Sequence, residues 1–178
     1  MITKVKRIIL DTNIYEFILR YLEKDRLKRF VEKNVLIVYG LDVIRKELRE
    51  IPKSIKVKAP EADINNLRIA LLSLYDLLVG SHQYKLTEEV LNLANKYFTV
   101  YKSIGGFASR EEMVNDFCIV SCAALHSLDI VVSEDNRTLL SDKAILAYKS
   151  VNSLEKIRTP EFIGFNKIKE LLGGVALD

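Results

Sequence analysis

Apolar positions alternate along this chain between short continuous runs and helical spacing. Ile8-Ile9-Leu10 is a run of three, two of them β-branched, and it stops at Asp11-Thr12-Asn13. A run of that kind, closed by polar residues, reads as the end of a buried strand. From Ile14 to about Lys33 the apolar residues fall three and four apart (Ile14, Phe17, Ile18, Tyr21, Leu22, then Leu27, Phe30 and Val31), which predicts an amphipathic helix. Val35 to Tyr39 is a second buried strand, closed by Gly40. A short helix from Leu41 to Glu50 follows, with Ile44, Leu48 and Ile51 on its core face and Pro52 as its stop. Beyond the basic linker Lys53–Pro60, two helices are predicted. One runs from about Glu61 to Val79 and is stopped by Gly80, the other from Thr87 to about Phe98; together they form a helical hairpin inserted over about 61–98. Tyr101 to Phe107, with its paired glycines, reads as a loop. Ser109 and Glu112 have the spacing of a capping box and open a helix over Met113–Leu128. From Phe117 to Leu125 that helix is apolar all round except at Ser121, the mark of a buried helix. Asp129 to Val132 is another short strand, ending in Ser133-Glu134-Asp135-Asn136. A helix over Thr138–Lys149, an edge strand within Val151–Arg158, a turn at Thr159–Phe162 and a C-terminal helix to Gly173-Gly174 complete the pattern. Strands alternating with helices define an α/β domain of three layers with a mainly parallel sheet.

Composition narrows the chemistry. The 178 residues suit a single domain, 1–178, and 49% hydrophobic against 29% charged residues excludes a disordered chain. A net charge of +3, with a pI near 8.7, is compatible with a nucleic-acid partner without requiring one. Two cysteines make no disulfide framework, and two histidines cannot build a His-rich metal site. Any metal would therefore be held by oxygen, which favours Mg²⁺ or Mn²⁺ over zinc. No apolar run suits a signal peptide or a bilayer span, so the expectation is a soluble, cytoplasmic protein without a membrane partner.

The candidate chemistry is carboxylate. Asp11 and Asp135 each follow an apolar strand, and in open α/β sheets ligands bind outside the carboxyl ends of the strands. Glu47 lies on the helix after the second strand, and Asp116 begins the buried helix. Each has a plain alternative: Asp11 and Asp135 as helix caps, Glu47 on a solvated face, Asp116 beside a helix N-terminus. Taken together they face a different constraint. Two unit charges about 4 Å apart repel by roughly 4 kcal/mol at an effective dielectric of about 20. A cluster of four persists only with protons or a divalent cation to neutralise it. Carboxylates around one or two such cations are the usual machinery of phosphodiester hydrolysis. Arg110 and Arg137 lie close to candidate acids and are candidate phosphate contacts. Cys118 and Cys122 read as small core residues.

Ile8-Ile9-Leu10-Asp11-Thr12-Asn13, the helix bearing Glu47, Asn115-Asp116-Phe117 and Val131-Val132-Ser133-Glu134-Asp135 form an ordered set that resembles the PIN-domain ribonucleases, the family of many VapC-type toxins. Thr159-Pro160-Glu161-Phe162 is similar to a common ending of that family. The resemblance spans nearly the whole chain. It implies a Rossmann-like PIN fold and metal-dependent cleavage of single-stranded or loop RNA. Asp11, Glu47, Asp116 and Asp135 would be the metal-binding catalytic acids, and Asn13 and Ser133 would support them. It also implies an RNA substrate, a homodimer and, for a toxin, an antitoxin partner. The gap from Glu47 to Asp116 is longer than in compact toxins, and the inserted hairpin fills it. Asn136 stands where some relatives carry a further acid. An RNA-processing nuclease and an inactive PIN-like RNA-binding scaffold remain as alternatives.

Overall fold

Parallel strands covered on both faces need nearly continuous apolar runs. Ile8, Ile9 and Leu10 in one such run and Ile130, Val131 and Val132 in another are all buried. In the computed structural model, which describes residues 5–21, 28–29, 31–33, 35–56 and 66–173, these runs become the two central strands of a five-stranded sheet. The strands are β1 (Lys6–Leu10), β2 (Leu36–Leu41), β3 (Gln83–Tyr84), β4 (Ile130–Val132) and β5 (Glu161–Ile163). Their order is β3-β2-β1-β4-β5, and every pairing is parallel. The register sets Ile8 beside Val38 on one side and beside Ile130 on the other. The helices are α1 (Thr12–Tyr21), α2 (Asp42–Glu50), α3 (Leu67–Val79), α4 (Glu88–Ser103), α5 (Arg110–Leu125), α6 (Asp142–Glu155) and α7 (Phe165–Gly173).

Side chains alternate across a strand, and β2 shows which helix covers which face. Gly40 faces α3, packing beneath Tyr75 and Val79. Tyr39 points the other way and stacks on Tyr84, which in turn stacks on His126 at the end of α5, with centroids 3.8 Å apart. On the α3 side, Tyr75 also meets Tyr15 of α1. On the other side α5 is buried continuously from Phe117 to Ala124, the segment that reads as apolar all round. The capping box is formed as its spacing predicts: Ser109 Oγ accepts from the Glu112 N–H, and Glu112 accepts from the Ser109 N–H at 2.7 Å. Cys118 and Cys122 are free and buried in this helix, and burial pushes their thiols up to about 11 and about 12, as inert core residues.

A methyl group at Gly40 would sit 2.1 Å from the Tyr75 hydroxyl oxygen and 2.8 Å from a Val79 methyl. Tyr75 is tied to the Leu41 carbonyl and to Gln83, so it has little room to yield. Gly40→Ala is expected to destabilise the protein by about 1–3 kcal/mol through overpacking. A urea midpoint equal to wild type would contradict this packing.

Several elements differ from the pattern-based expectation. Between α3 and α4, where a bare hairpin is expected, lies β3, whose pairing to Gly40 and Leu41 makes it the edge of the sheet. α4 continues to Ser103, past the expected end near Phe98. Val151 to Glu155 is not an edge strand: it is the last part of α6, and the edge strand is β5, within the segment read as a turn. The expected helix residues Leu22, Leu27 and Phe30, together with Lys58 and the start of the hairpin at Glu61 and Ile64, lie outside the described residues.

Candidate active site

The strand order reverses direction between β1 and β4, and a crevice forms beyond their carboxyl ends. Asp11 is the first residue past β1, held there by its N–H to the Val132 carbonyl at 2.9 Å. It is 5% exposed, and its oxygens are fully engaged. Oδ1 accepts from the Thr12 N–H at 2.7 Å. Oδ2 accepts from the Ser133 hydroxyl at 2.6 Å and from Asn13 Nδ2 at 2.8 Å. Asn13 reaches across in turn, its Oδ1 accepting from the Glu134 N–H, while Ser133 Oγ accepts from the Asp135 N–H at 3.0 Å. The supporting roles expected of Asn13 and Ser133 thus have a geometric counterpart: both clamp Asp11, and both tie the β1 end to the β4 end.

Glu47 enters from α2, partly buried. One oxygen accepts from the Thr12 hydroxyl and the other from Asn115 Nδ2 at 2.5 Å. Neighbours on a helix are about 100° apart, so Asn115 can hold Glu47 while Asp116 turns elsewhere. Asp116 Oδ2 is buried without a hydrogen-bond partner. Asp135 has the opposite condition. It accepts from the N–H groups of Arg137 and Thr138 and from the Thr138 hydroxyl at 2.8 Å, the local turn that its spacing to Thr138 permits. Glu134, next to it, serves the fold: its carboxylate accepts from the Phe165 N–H and fixes the start of α7.

These environments split the carboxylates. Burial pushes Asp11 up to about 6, against the pull of Ser133 and Thr12, with the charges of Glu47 and Asp135 adding to the push. Burial likewise pushes Asp116 up to about 7; Thr138 draws it back, and Asp11, Asp135 and Glu47 raise it further. At Asp135 burial acts upward, but the hydrogen bonds from Thr138 and the adjacent backbone outweigh it and hold the carboxyl low. Glu47 and Asp135 are each within electrostatic reach of Asp11 and of Asp116.

Among the described residues no three His, Cys, Asp or Glu side chains are arranged as a ready ligand set for a metal. The reason is visible in the hydrogen bonds, because Glu47 and Asp135 are both turned to neutral donors. The donor chemistry nonetheless suits a hard divalent cation: every candidate ligand is a carboxylate, and Asp116 Oδ2 is an open acceptor. The two arginines separate. Arg110 donates to Asn95 of α4 at 2.6 Å and is directed away from the acids by that bond. Arg137 stays within electrostatic reach of Asp135 and Glu112. The functional side chains that sequence reasoning missed are Thr12 and Asn115 as partners of Glu47, and Thr138 as the partner of Asp135. Only Thr138, three residues after an aspartate, carried a local signal.

The fold is an open, all-parallel α/β sheet of the PIN-domain type. Three solved structures share it at low sequence identity. The chain is similar to a chain of VapBC2 from Rickettsia felis bound to a promoter DNA fragment, at 10% identity over 89% of this chain and 98% of that one, with a TM-score of 0.54. VapBC from Salmonella typhimurium bound to DNA gives 15% identity, coverage of 90% and 98%, and a TM-score of 0.53. FitAB bound to an IR36 DNA fragment gives 18%, 88% and 94%, and 0.52. No family model and no curated protein sequence matches the chain. No described helix is long and apolar enough to cross a membrane.

Proposed function

We propose that this protein is a VapC-like PIN-domain nuclease, a metal-dependent endoribonuclease acting on single-stranded or loop RNA. The observation that carries the reading is Asp116: a carboxylate near the start of a buried helix, with an orphaned oxygen, within electrostatic reach of Asp11 and Asp135 beyond the strand ends and of Glu47 on α2. Asp11 and Asp116 would hold a Mg²⁺ or Mn²⁺ ion, with Glu47 and Asp135 completing the set. Bound there, the cation would supply an acidified water and neutralise charge on the phosphate.

The chain's own residues do the rest. Ser133 and Asn13 fix both the position and the ionised form of Asp11, and Thr12 and Asn115 fix Glu47. Asp135 stays ionised near neutrality because Thr138 and the backbone hold its charge. The Arg137 guanidinium offers the phosphate a cation beside Asp135. Water attacks phosphorus in line and the bond to the 3′ oxygen breaks. The bond pair leaves with that oxygen, which takes up a proton, giving 3′-hydroxyl and 5′-phosphate ends.

The likeness to VapBC and FitAB assemblies supports a toxin held by a protein antitoxin over a solitary processing enzyme. The tied state of Glu47 and Asp135 favours one rival, an RNA-binding scaffold without activity. Cleavage of a labelled single-stranded RNA in Mn²⁺ and in EDTA separates them. Metal-dependent cleavage with 5′-phosphate products is expected. No cleavage, with no thermal shift on adding Mn²⁺, would favour the scaffold.

A further inference from the structure

Beside the acid cluster lies an open groove of about 480 Å³, and Thr138, whose hydroxyl binds Asp135, forms part of its wall. At its rim stands Phe107, 91% exposed, the most exposed of the large hydrophobic side chains among the described residues. The chain holds it there by a specific backbone path. Gly105 has φ +82°, a conformation that side chains disfavour. Gly106 lies flat on Tyr101: a methyl group there would come within 2.2 Å of the ring. The Tyr101 hydroxyl then accepts from the Ala108 N–H at 3.2 Å. The loop is thus pinned on both sides of Phe107, while the ring itself projects into solvent.

Two cations line the groove. Lys143, on the first turn of α6, anchors to the Gly105 carbonyl and lies 4.4 Å from the Phe107 centroid. Arg137 lines the same groove and links it to Asp135. The two acids in the lining, Glu112 and Asp142, balance these charges, and Glu112 is turned to the Ser109 N–H. An exposed hydrophobic ring on a pinned loop, with Lys143 over one face and Arg137 lining the same groove, has a direct chemical counterpart. Single-stranded nucleic acids bind by stacking bases on aromatic faces and running phosphates past cations.

We propose that this groove is a nucleotide subsite in which one base of a single-stranded RNA stacks on Phe107, with Arg137 and Lys143 on the flanking phosphates. The proposal rests on the nuclease reading for its orientation, since Arg137 and Thr138 would place the neighbouring phosphate at the acids. It adds what that reading lacks, a residue by which the enzyme grips the base next to the cut.

The test is binding of wild type and Phe107→Ala to two labelled probes in EDTA, oligo(A) and the same ribose-phosphate backbone without bases. One stacked base is worth about 1–3 kcal/mol, so wild type should prefer oligo(A) by roughly fivefold or more. Phe107→Ala should lose that preference while binding the abasic backbone as wild type does. Arg137→Ala should weaken both probes alike and lower the slope of log affinity against log salt by about one. A preference for bases that survives in Phe107→Ala overturns the subsite, as does a wild type that ignores bases or binds neither probe. Cleavage in Mn²⁺ is scored separately. Cleavage without base preference ends the subsite and leaves the nuclease standing. Phe107-dependent stacking without cleavage keeps the subsite and ends the nuclease reading.

Discussion

Asp116→Asn is expected to lower RNA cleavage by at least about a hundredfold while raising the stability of the metal-free protein above neutral pH. The two effects have one cause. Residues that only orient a metal ligand typically cost 10–100-fold when changed, and Asp116 is placed to be a ligand itself. Asparagine keeps the shape but removes the charge that would draw a cation. Without a cation that same charge is a liability, because it is buried, lacks a partner on Oδ2 and faces Asp11, Asp135 and Glu47. An amide there has no charge to desolvate. A variant that is inactive and also less stable at pH 8 would mean that Asp116 serves folding, and the nuclease reading would lose its central observation. Measuring urea midpoints beside cleavage rates separates these outcomes.

The second large effect is a fall in stability as pH rises. Asp11 and Asp116 have folded-state values of about 6 and about 7, above the ordinary 3.8 of an unfolded aspartate. Between those limits the folded protein binds more protons than the unfolded chain, so stability drops with rising pH at up to about 1.4 kcal/mol per unit for each group. The stabilisation is complete below about pH 4 and is lost as pH passes through 6 and 7. From pH 5 to pH 8 in EDTA, the expected loss is on the order of 2–4 kcal/mol. His126, lowered first by burial and then by Arg7, acts in the opposite sense. Mn²⁺ should restore most of the loss at pH 8, since an ion that binds only the folded state stabilises it. Equal urea midpoints at pH 5 and pH 8 in EDTA would contradict the arrangement of the acids.

The parts of this fold that were legible in the sequence are those whose signals are local. Ile8 to Leu10 and Ile130 to Val132 are apolar runs that stop abruptly, so both central strands and the acids after them stand out. Ser109 and Glu112 mark a helix start by spacing alone. The edges were hidden for physical reasons. β3 is only Gln83-Tyr84, too short for any periodicity, and it exists because Gly40 and Leu41 offer it a partner. β5 follows Pro160, which suits the entry to an edge strand as well as a turn. Val151 to Glu155, read as part of an edge strand, is the last part of α6. In the structure Asn152 is buried within α6, accepting from the Tyr97 hydroxyl at 2.6 Å and donating to Thr159. The acids stood out by their places after apolar runs and on helices, but Glu47's partners Thr12 and Asn115 did not. Those contacts are tertiary: Asn115 meets Glu47 across 68 positions.

The hydrogen bond from Ser133 to Asp11 spans 122 positions of the chain. On the ribosome Asp11 emerges early, yet the hydroxyl that orients it belongs to a loop made much later. Until β4 has been synthesised, β1 can pair only with β2, and its other side and the Asp11 carboxylate wait for the far end of the chain.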